Sequence, residues 1–472
     1  MNQHPLWPYV EAPQARFRAL ADAVWATPET CYLERRSSAA HTAELRHQGF
    51  RVSENVAGIP TAMTGEWGQG GPVVAFLGEY DALANLSQTA DLPEQKPVEA
   101  GGNGHGCGHN MLGSAAMLAA VAVRDWLKAT GKPGRVRYYG CPAEEGGAGK
   151  TFMVKAGCFN DVDLAVTWHP HSIPAVIKGS SLANCRVDFS FRGRASHAAA
   201  SPHLGRSALD AVELMNVGVN YLREHMPPAA RIHYALIDAG GISPNVVQAG
   251  ATVRYVVRDE TAAGMLKLLE RVRKVAAGAA LMTETQVSDS VLAAVSNLVP
   301  NGPLIAAMQA NLDRLGPPPF DDLDRAYAKR FRATFTPEEI ADSFIGLGLP
   351  VDPALALPDF VAPADTPPAP LGGSTDVGDV SWVTPTVQLW GANYAIGTPF
   401  HSWQMVAQGK SALAYKGMIH AAMAMAATAA DAFADPGLIA AAKADLKRRV
   451  GPQGYVCPLG PGAAPPLEAM AR

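Results

Sequence analysis

The chain is poor in what a nucleic-acid binder or a membrane protein needs. Only 17% of its 472 residues are charged, the formal net charge is -4, the pI is near 6.4, and no run of Lys or Arg forms a basic patch. Electrostatic binding of nucleic acid is thereby excluded, and a small-molecule substrate is the expectation. Apolar runs such as Ala115 to Val123 are too short to span a bilayer and are bounded by polar residues, so no transmembrane helix or membrane partner is expected. The six cysteines (31, 107, 141, 158, 185 and 457) lack the regular short spacings of a disulfide framework and read as thiols in a reducing compartment. Residues Met1 to Phe17 carry no basic-then-apolar signal, which adds to an expectation of cytoplasmic residence. The glycines between 101 and 108 lack the Lys and Ser/Thr of a phosphate-cradling loop, so nucleotide binding is excluded too. No internal repeat is visible.

Hydrophobic residues make up 48% of the sequence, and the length favours two or three domains. Helical periodicity from Ala15 to Trp25 and from Ala39 to Gly49 precedes a short apolar strand at Val73 to Leu77. Helices near 110–129 and 149–157 then alternate with strands at 135–139 and 164–168, the pattern of a mostly parallel sheet covered on both faces. From about 184 the order becomes β-α-β-β-α-β, with strands at 185–191, 231–238, 251–258 and 283–289 and helices at 205–224 and 261–277. That is the ferredoxin-like α+β pattern. Alternating material resumes with a helix at 303–315, a strand at 386–389 and a long Ala-rich helix from 410 to 433. The expected organisation is a catalytic α/β domain in two parts, 1–183 and 299–472, interrupted by an inserted domain at 184–298 with hinges near 180–184 and 298–303. The Pro-rich stretch 316–371 reads either as a helix-containing excursion around 338–347 or as a long functional loop. The tail after 450 is expected to be ordered by docking on the surface.

The chemistry concentrates in four places. Gly104-His-Gly-Cys-Gly-His-Asn110 offers Cys107 and His109 one residue apart in a glycine-rich turn, with His105 as a weaker competitor. Glu144 and Glu145 are adjacent after the strand at 135–139, so their side chains diverge and suit different tasks. Paired glutamates are usually a solvated surface, but this pair lies between Pro142 and Gly146-Gly147 beside other ligand-type motifs. Trp168-His-Pro-His171 adds an imidazole from His169 or His171, between which spacing does not choose, and Thr398-Pro-Phe-His-Ser-Trp403 adds His401. A thiolate, three imidazoles and two carboxylates are enough for a two-metal hydrolytic centre with a general base beside it. His4, His41, His47, His225, His233 and His420 have no motif around them and read as surface or core residues.

These residues lead to a family. The chain resembles the metal-dependent aminoacylase/carboxypeptidase amidohydrolases through Thr27-Pro-Glu-Thr30, Leu77-Gly-Glu-Tyr-Asp-Ala-Leu83, Asn103 to Asn110 and Gly140 to Gly147. The likeness continues through Ser201 to Ala211, Gly240 to Ala249 and Ser374 to Trp382, so it covers nearly the whole chain. The resemblance implies two divalent ions, zinc or manganese, held by Cys107 as the bridging thiolate with His109, Glu145, His169 and His401. It implies Glu144 as the catalytic base and Asp81 as the residue orienting a ligand imidazole. It also implies His197 stabilising the oxyanion from a partner protomer, and Asn245 and Arg258 holding the substrate's carboxylate end. The implied reaction is hydrolysis of an N-acyl amino acid amide, most specifically an aroyl-glutamate such as p-aminobenzoyl-glutamate, with another N-acyl amino acid or a dipeptide as the alternative substrate. A non-catalytic metal- or ligand-binding relative is the alternative of a different class, and Glu144 beside Glu145 speaks against it. The implied assembly is a homodimer formed through the inserted lid domain, with a homologous second subunit as an open possibility. Two departures stand out: Glu79-Tyr80-Asp81 replaces the usual Asp-x-Asp, and the arginine that related carboxypeptidases place just after the insertion has no counterpart in Thr283 to Val299.

Overall fold

The structure is a computed structural model describing residues 4–368 and 371–468, so the first three residues, two of the Pro-rich stretch and the last four of the tail lie outside it. Its strands, in chain order, are β1 (Arg51–Glu54), β2 (Met63–Gln69), β3 (Val73–Glu79), β4 (Gly134–Cys141), β5 (Leu164–His169) and β6 (Ala175–Val176). They continue with β7 (Ala183–Arg192), β8 (Arg231–Asp238), β9 (Gly250–Asp259), β10 (Gln286–Val295) and β11 (Thr386–Trp390). Seven form one sheet in the order β1-β2-β4-β3-β5-β11-β6. Its centre, β4-β3-β5-β11, is parallel. At the rims β1, β2 and β6, strands that the sequence did not signal, join antiparallel. β3 is buried along its entire length, as a strand covered on both faces must be.

The core on one face is made by the helices His109–Thr130 and Ala412–Ala434, both rich in alanine. Small side chains let these two long helices approach the sheet and each other closely, and nearly every residue of the first is buried.

The four remaining strands form a second, antiparallel sheet in the order β10-β7-β9-β8. Helices Ala208–Leu222 and Ala262–Thr283 cover one face through the odd-numbered residues of β7 and β9, such as Val187, Phe189, Val253 and Tyr255. The second helix runs to Thr283 rather than ending at 277, which displaces the last strand from the expected 283–289 to Gln286–Val295. Both chain crossings between the sheets lie side by side: Ser180 Oγ donates to the Leu298 carbonyl (2.7 Å) and Leu298 N donates to Ser181 Oγ (3.0 Å).

The Pro-rich stretch contains two helices, Asp322–Arg332 and Pro337–Ile345, each started by a capping box. A further helix, Pro436–Val450, follows the long alanine helix. The tail docks as expected, with Tyr455 Oη donating to Asp379 (2.8 Å) and Lys155 Nζ donating to the carbonyls of Gly460 and Ala463 (both 2.7 Å). No helix among the described residues is long and apolar enough to cross a membrane.

Candidate metal centre

The carboxyl ends of the parallel strands meet at one cleft, where ligands bind in open α/β sheets. Glu79 ends β3, His169 ends β5, and Glu144 and Glu145 follow β4 by three and four residues. Cys107 lies in the turn entering the helix His109–Thr130, and His109 is that helix's first residue. Gly108 joins them at φ +78°, where a Cβ would run into Tyr394 Oη and Pro170, so the turn requires glycine. His401 arrives on the loop after β11 with φ +56°, and Ala143 before the glutamate pair has φ +62°. Non-glycine residues held in this conformation cluster where surrounding structure must aim a side chain.

Side-chain atoms of Cys107, His109 and His169 lie within 4.8 Å of one another, and so do those of Cys107, Glu145 and His401. Cys107 is common to both groups, which is the arrangement a bridging thiolate between two ions requires. A third group joins Glu79, His109 and Glu144. The five expected ligands are therefore together, with Glu144 beside them. His109 Nδ1 donates to Asp81 Oδ1 (2.9 Å), which fixes the tautomer and leaves Nε2 facing the cleft. The other Asp81 oxygen accepts from Glu145 N (2.9 Å), so one carboxylate braces two ligand residues. His169 Nδ1 donates to the Pro170 carbonyl (2.9 Å), leaving its Nε2 3.3 Å from Cys107 Sγ.

The donor set fits divalent ions on its own chemistry. Glu145 Oε1 is buried with no hydrogen-bond partner among the described residues, which costs free energy unless something else binds there, and His109 Nε2 has only the Glu79 carboxylate opposite it, at 3.2 Å and without a hydrogen bond. A thiolate with imidazoles suits zinc by softness, while manganese rests on the family resemblance.

Burial raises both glutamate carboxyls, Glu145 as well as Glu144. Burial, with Glu79, Asp376 and Glu145 nearby, holds the Glu144 carboxyl well above the usual carboxylate range. A carboxyl with raised proton affinity is what a proton carrier at neutral pH needs. Burial lowers His169 to about 4, keeping it neutral and able to coordinate. At His109, burial alone would lower the pKa, but Asp81 and Cys107 outweigh it and raise it.

Two open alternatives are resolved by contacts. His105 is buried away from the cleft with Nε2 on the Val24 carbonyl (3.0 Å). His171 stacks flat on Trp390 at 4.3 Å and lines the cleft, but it belongs to neither ligand group. His41 is a core residue held by Tyr138 Oη (2.8 Å).

The cleft is a cavity of about 530 Å³ between the two sheets. Arg258 from β9 lines it and donates to Ser374 Oγ (2.8 Å). His197 and Asn245 do not line it. They lie together at the far end of the second sheet, where Ala198 N donates to the Asn245 carbonyl (3.0 Å) and both side chains are exposed. His197 Nδ1 accepts from Ala199 N and Ala200 N (3.2 and 3.1 Å), leaving Nε2 outward.

Several residues at the cleft carried no motif. Lys150 is fully buried between Glu79 (2.5 Å) and Asp376 (2.6 Å), neutralising carboxylates that would otherwise crowd Glu144. Glu34 accepts from Ala143 N (2.9 Å) and so steadies the strained turn ahead of Glu144, while burial pushes its own carboxyl up to about 8. Arg186 from β7 also lines the cavity. The sequence signal for these was position alone: Glu34 lies four residues after Thr27 to Thr30, at the last place of that run's pattern, Lys150 lies three residues past Gly147, and Asp376 lies within Ser374 to Trp382.

Comparison with known proteins places this geometry. The model of peptidase family M20/M25/M40 matches residues 75–359, more than half of the chain. The chain is 45% identical over 470 residues to one of the subunits of p-aminobenzoyl-glutamate hydrolase from Escherichia coli, covering 97% of this chain and 98% of that one. It is 29% identical over 453 residues to the mouse (Mus musculus) Xaa-Arg dipeptidase, covering 93% and 90%. A dinuclear metal-binding M20 peptidase from Bacillus subtilis shares the fold, with a TM-score of 0.53 at 17% identity over 88% of this chain and 99% of that one. The chain belongs to peptidase family M20/M25/M40 and is an amide-bond-cleaving enzyme of that family.

Proposed function

We propose that the chain is a two-metal amidohydrolase that cleaves p-aminobenzoyl-glutamate or a similar aroyl-glutamate into the aromatic acid and glutamate. The observation that carries this reading is the pair of ligand groups sharing Cys107, with Glu144 at their edge and a guanidinium, Arg258, in the same cavity. The 45% identity to a protein of that named activity supports the substrate. Cys107, His109 and His169 would hold one ion, and Cys107, Glu145 and His401 the other. When bound, such ions acidify a water and polarise the amide carbonyl. Glu144 takes the proton of the attacking water and delivers it to the leaving nitrogen. Asp81 keeps His109 in the coordinating tautomer, and Arg258 holds a substrate carboxylate.

Residues 1–183 and 299–472 form the catalytic unit in this reading, and 184–298 form an inserted lid and dimerisation unit, consistent with the second sheet at Ala183–Val295. His197 and Asn245 act on the site of a partner copy, which accounts for their distance from the cleft of their own chain. The unpaired edge strand β8, with Tyr234, Leu236 and Ile237 about half exposed, supports pairing through this unit. A homologous second subunit is a further possible partner, because the Escherichia coli hydrolase has another named subunit, 29% identical to this chain over 281 residues. Six free thiols support residence in the cytoplasm.

The mouse relative raises a second reading, a dipeptidase for a basic C-terminal residue. With Arg258 on the α-carboxylate, the second guanidinium in the cavity, Arg186, disfavours it, because a cationic side chain would meet like charge. The test is hydrolysis by the purified chain, stripped of metal and reloaded with zinc or manganese. Release of p-aminobenzoate from p-aminobenzoyl-glutamate is the expected result. Turnover of Xaa-Arg dipeptides without turnover of any N-acyl glutamate would overturn the proposal.

A further inference from the structure

The polar face of the second sheet carries an uncompensated pair of positive charges into the cavity. In β7 the even-numbered residues Asn184, Arg186 and Asp188 face away from the covering helices, and in β9 so do Arg254, Val256 and Arg258. The register sets Asn184 opposite Arg258, Arg186 opposite Val256 and Asp188 opposite Arg254. Arg254 is neutralised by Asp188 (2.7 Å). Arg186 and Arg258 are diagonal neighbours on the same face, close enough for long side chains to interact. Among the described residues neither is paired with a carboxylate, and only Arg258 has a hydrogen-bond acceptor, Ser374 Oγ (2.8 Å).

Both guanidinium groups line the cavity that holds Glu144, Glu145 and the expected metal ligands. Arg186 lies directly over Gly146, where any Cβ would collide with its Nη1, so a glycine next to Glu145 makes room for it. Burial lowers the proton affinity of both groups, and Arg186 lowers that of Arg258 further. Two half-buried cations side by side with no carboxylate in ion-pair contact, and only the partial offset of Asp188 and Glu145 near Arg186, are costly in the free enzyme, and anionic ligand groups entering the cavity would relieve that cost.

We infer that Arg186 is a specificity-determining residue, which together with the Arg258–Ser374 pair forms a two-carboxylate subsite, one guanidinium for each carboxylate of an N-acyl dicarboxylic amino acid. This rests on the amidohydrolase reading above and adds the chemical reason for choosing glutamate. Arg258 alone would accept the α-carboxylate of any N-acyl amino acid. The second guanidinium rewards a second carboxylate and opposes a neutral or basic side chain.

The test compares kcat/KM for p-aminobenzoyl-glutamate with its two mono-amides, p-aminobenzoyl-glutamine and p-aminobenzoyl-isoglutamine, each lacking one carboxylate. For the metal-loaded wild-type chain the dicarboxylate is expected to be preferred over each mono-amide by roughly 10- to 100-fold, the size of one charge-assisted hydrogen-bond pair. Arg186→Met should collapse the preference over one mono-amide and keep the other, and Arg258→Met should do the reverse. Metal content and glutamate binding by calorimetry accompany each variant. Unchanged ratios in Arg186→Met would overturn the inference, as would loss of bound metal in that variant, which would make Arg186 a support for Glu145 instead. Wild-type hydrolysis of all three amides at similar rates would overturn the inference and leave the amidohydrolase reading standing. No hydrolysis of any of them would overturn both.

Discussion

At the scale of single residues, Glu144 and Glu145 show how neighbours acquire different tasks. Glu145 is tied through its backbone to Asp81 and points at Cys107 and His401, whereas Glu144 turns toward Glu79 and His109. Glu144→Gln keeps the shape and removes the proton acceptor. Metal should be retained and turnover should fall by roughly two to four orders of magnitude. Near-normal turnover of the metal-loaded variant would remove Glu144 from the mechanism. Cys107 stands in both ligand groups, so Cys107→Ala should lower metal content measured by elemental analysis. Cys158→Ala, distant from the cleft, should not. The candidate ligands were legible jointly, because four short runs with Gly or Pro together supply a two-metal donor set, whereas the choice of His169 over His171 came from the family resemblance and not from spacing. Lys150, Glu34 and Arg186 were not, because their meaning depends on partners far along the chain. Lys150 reaches Asp376 across 226 positions, and Glu34 reaches Ala143 across 109. Only the folded sheet brings such pairs together.

At the scale of elements, the central parallel strands were readable because strands buried on both faces must be continuous apolar runs, as in Val73 to Leu77. The antiparallel rim was not. β2, Met-Thr-Gly-Glu-Trp-Gly-Gln, has two glycines and polar alternation, and it is a strand chiefly because β4 offers it a partner. The helix Pro436–Val450 had a legible start in Asp435-Pro436, with the Asp435 side chain capping Gly437, but the preceding alanine helix masked it. That preceding helix also carries a pH-sensitive contact. His420 Nε2 donates to the Gly316 carbonyl (2.6 Å), its Nδ1 is buried without a partner, and burial lowers its pKa to about 4. The unfolded chain, with a histidine near pH 6.5, therefore binds more protons than the folded one between about pH 4 and 6.5. Stability is full above that window and lost as pH falls through it, by on the order of 3 kcal/mol for this group. Chemical denaturation at several pH values should show a shallower acid loss for His420→Gln, which keeps a donor for Gly316. An identical slope in variant and wild type would refute the contribution.

At the scale of the whole molecule, the strand ends, turns and loops around the first sheet carry the candidate ligands, the second sheet carries the two arginines, and the cavity lies between them. The two crossings lie side by side and are tied to each other at Ser180, Ser181 and Leu298, and Arg258 reaches across to Ser374. His197 remains outside its own cleft, which makes a role across a dimer interface testable. Mixing inactive Glu144→Gln and His197→Ala chains should restore up to about half of normal activity per mixed dimer if protomers exchange. No recovery despite demonstrated exchange would place His197 in its own protomer's site or outside catalysis. The central claim is that two ions sharing Cys107 drive the hydrolysis. It is tested most directly by adding zinc or manganese stepwise to the stripped chain while following release of p-aminobenzoate from p-aminobenzoyl-glutamate. The account predicts activity that rises until about two equivalents are bound and then levels, as two ligand groups require. Full activity at one equivalent, or activity indifferent to metal, would contradict it.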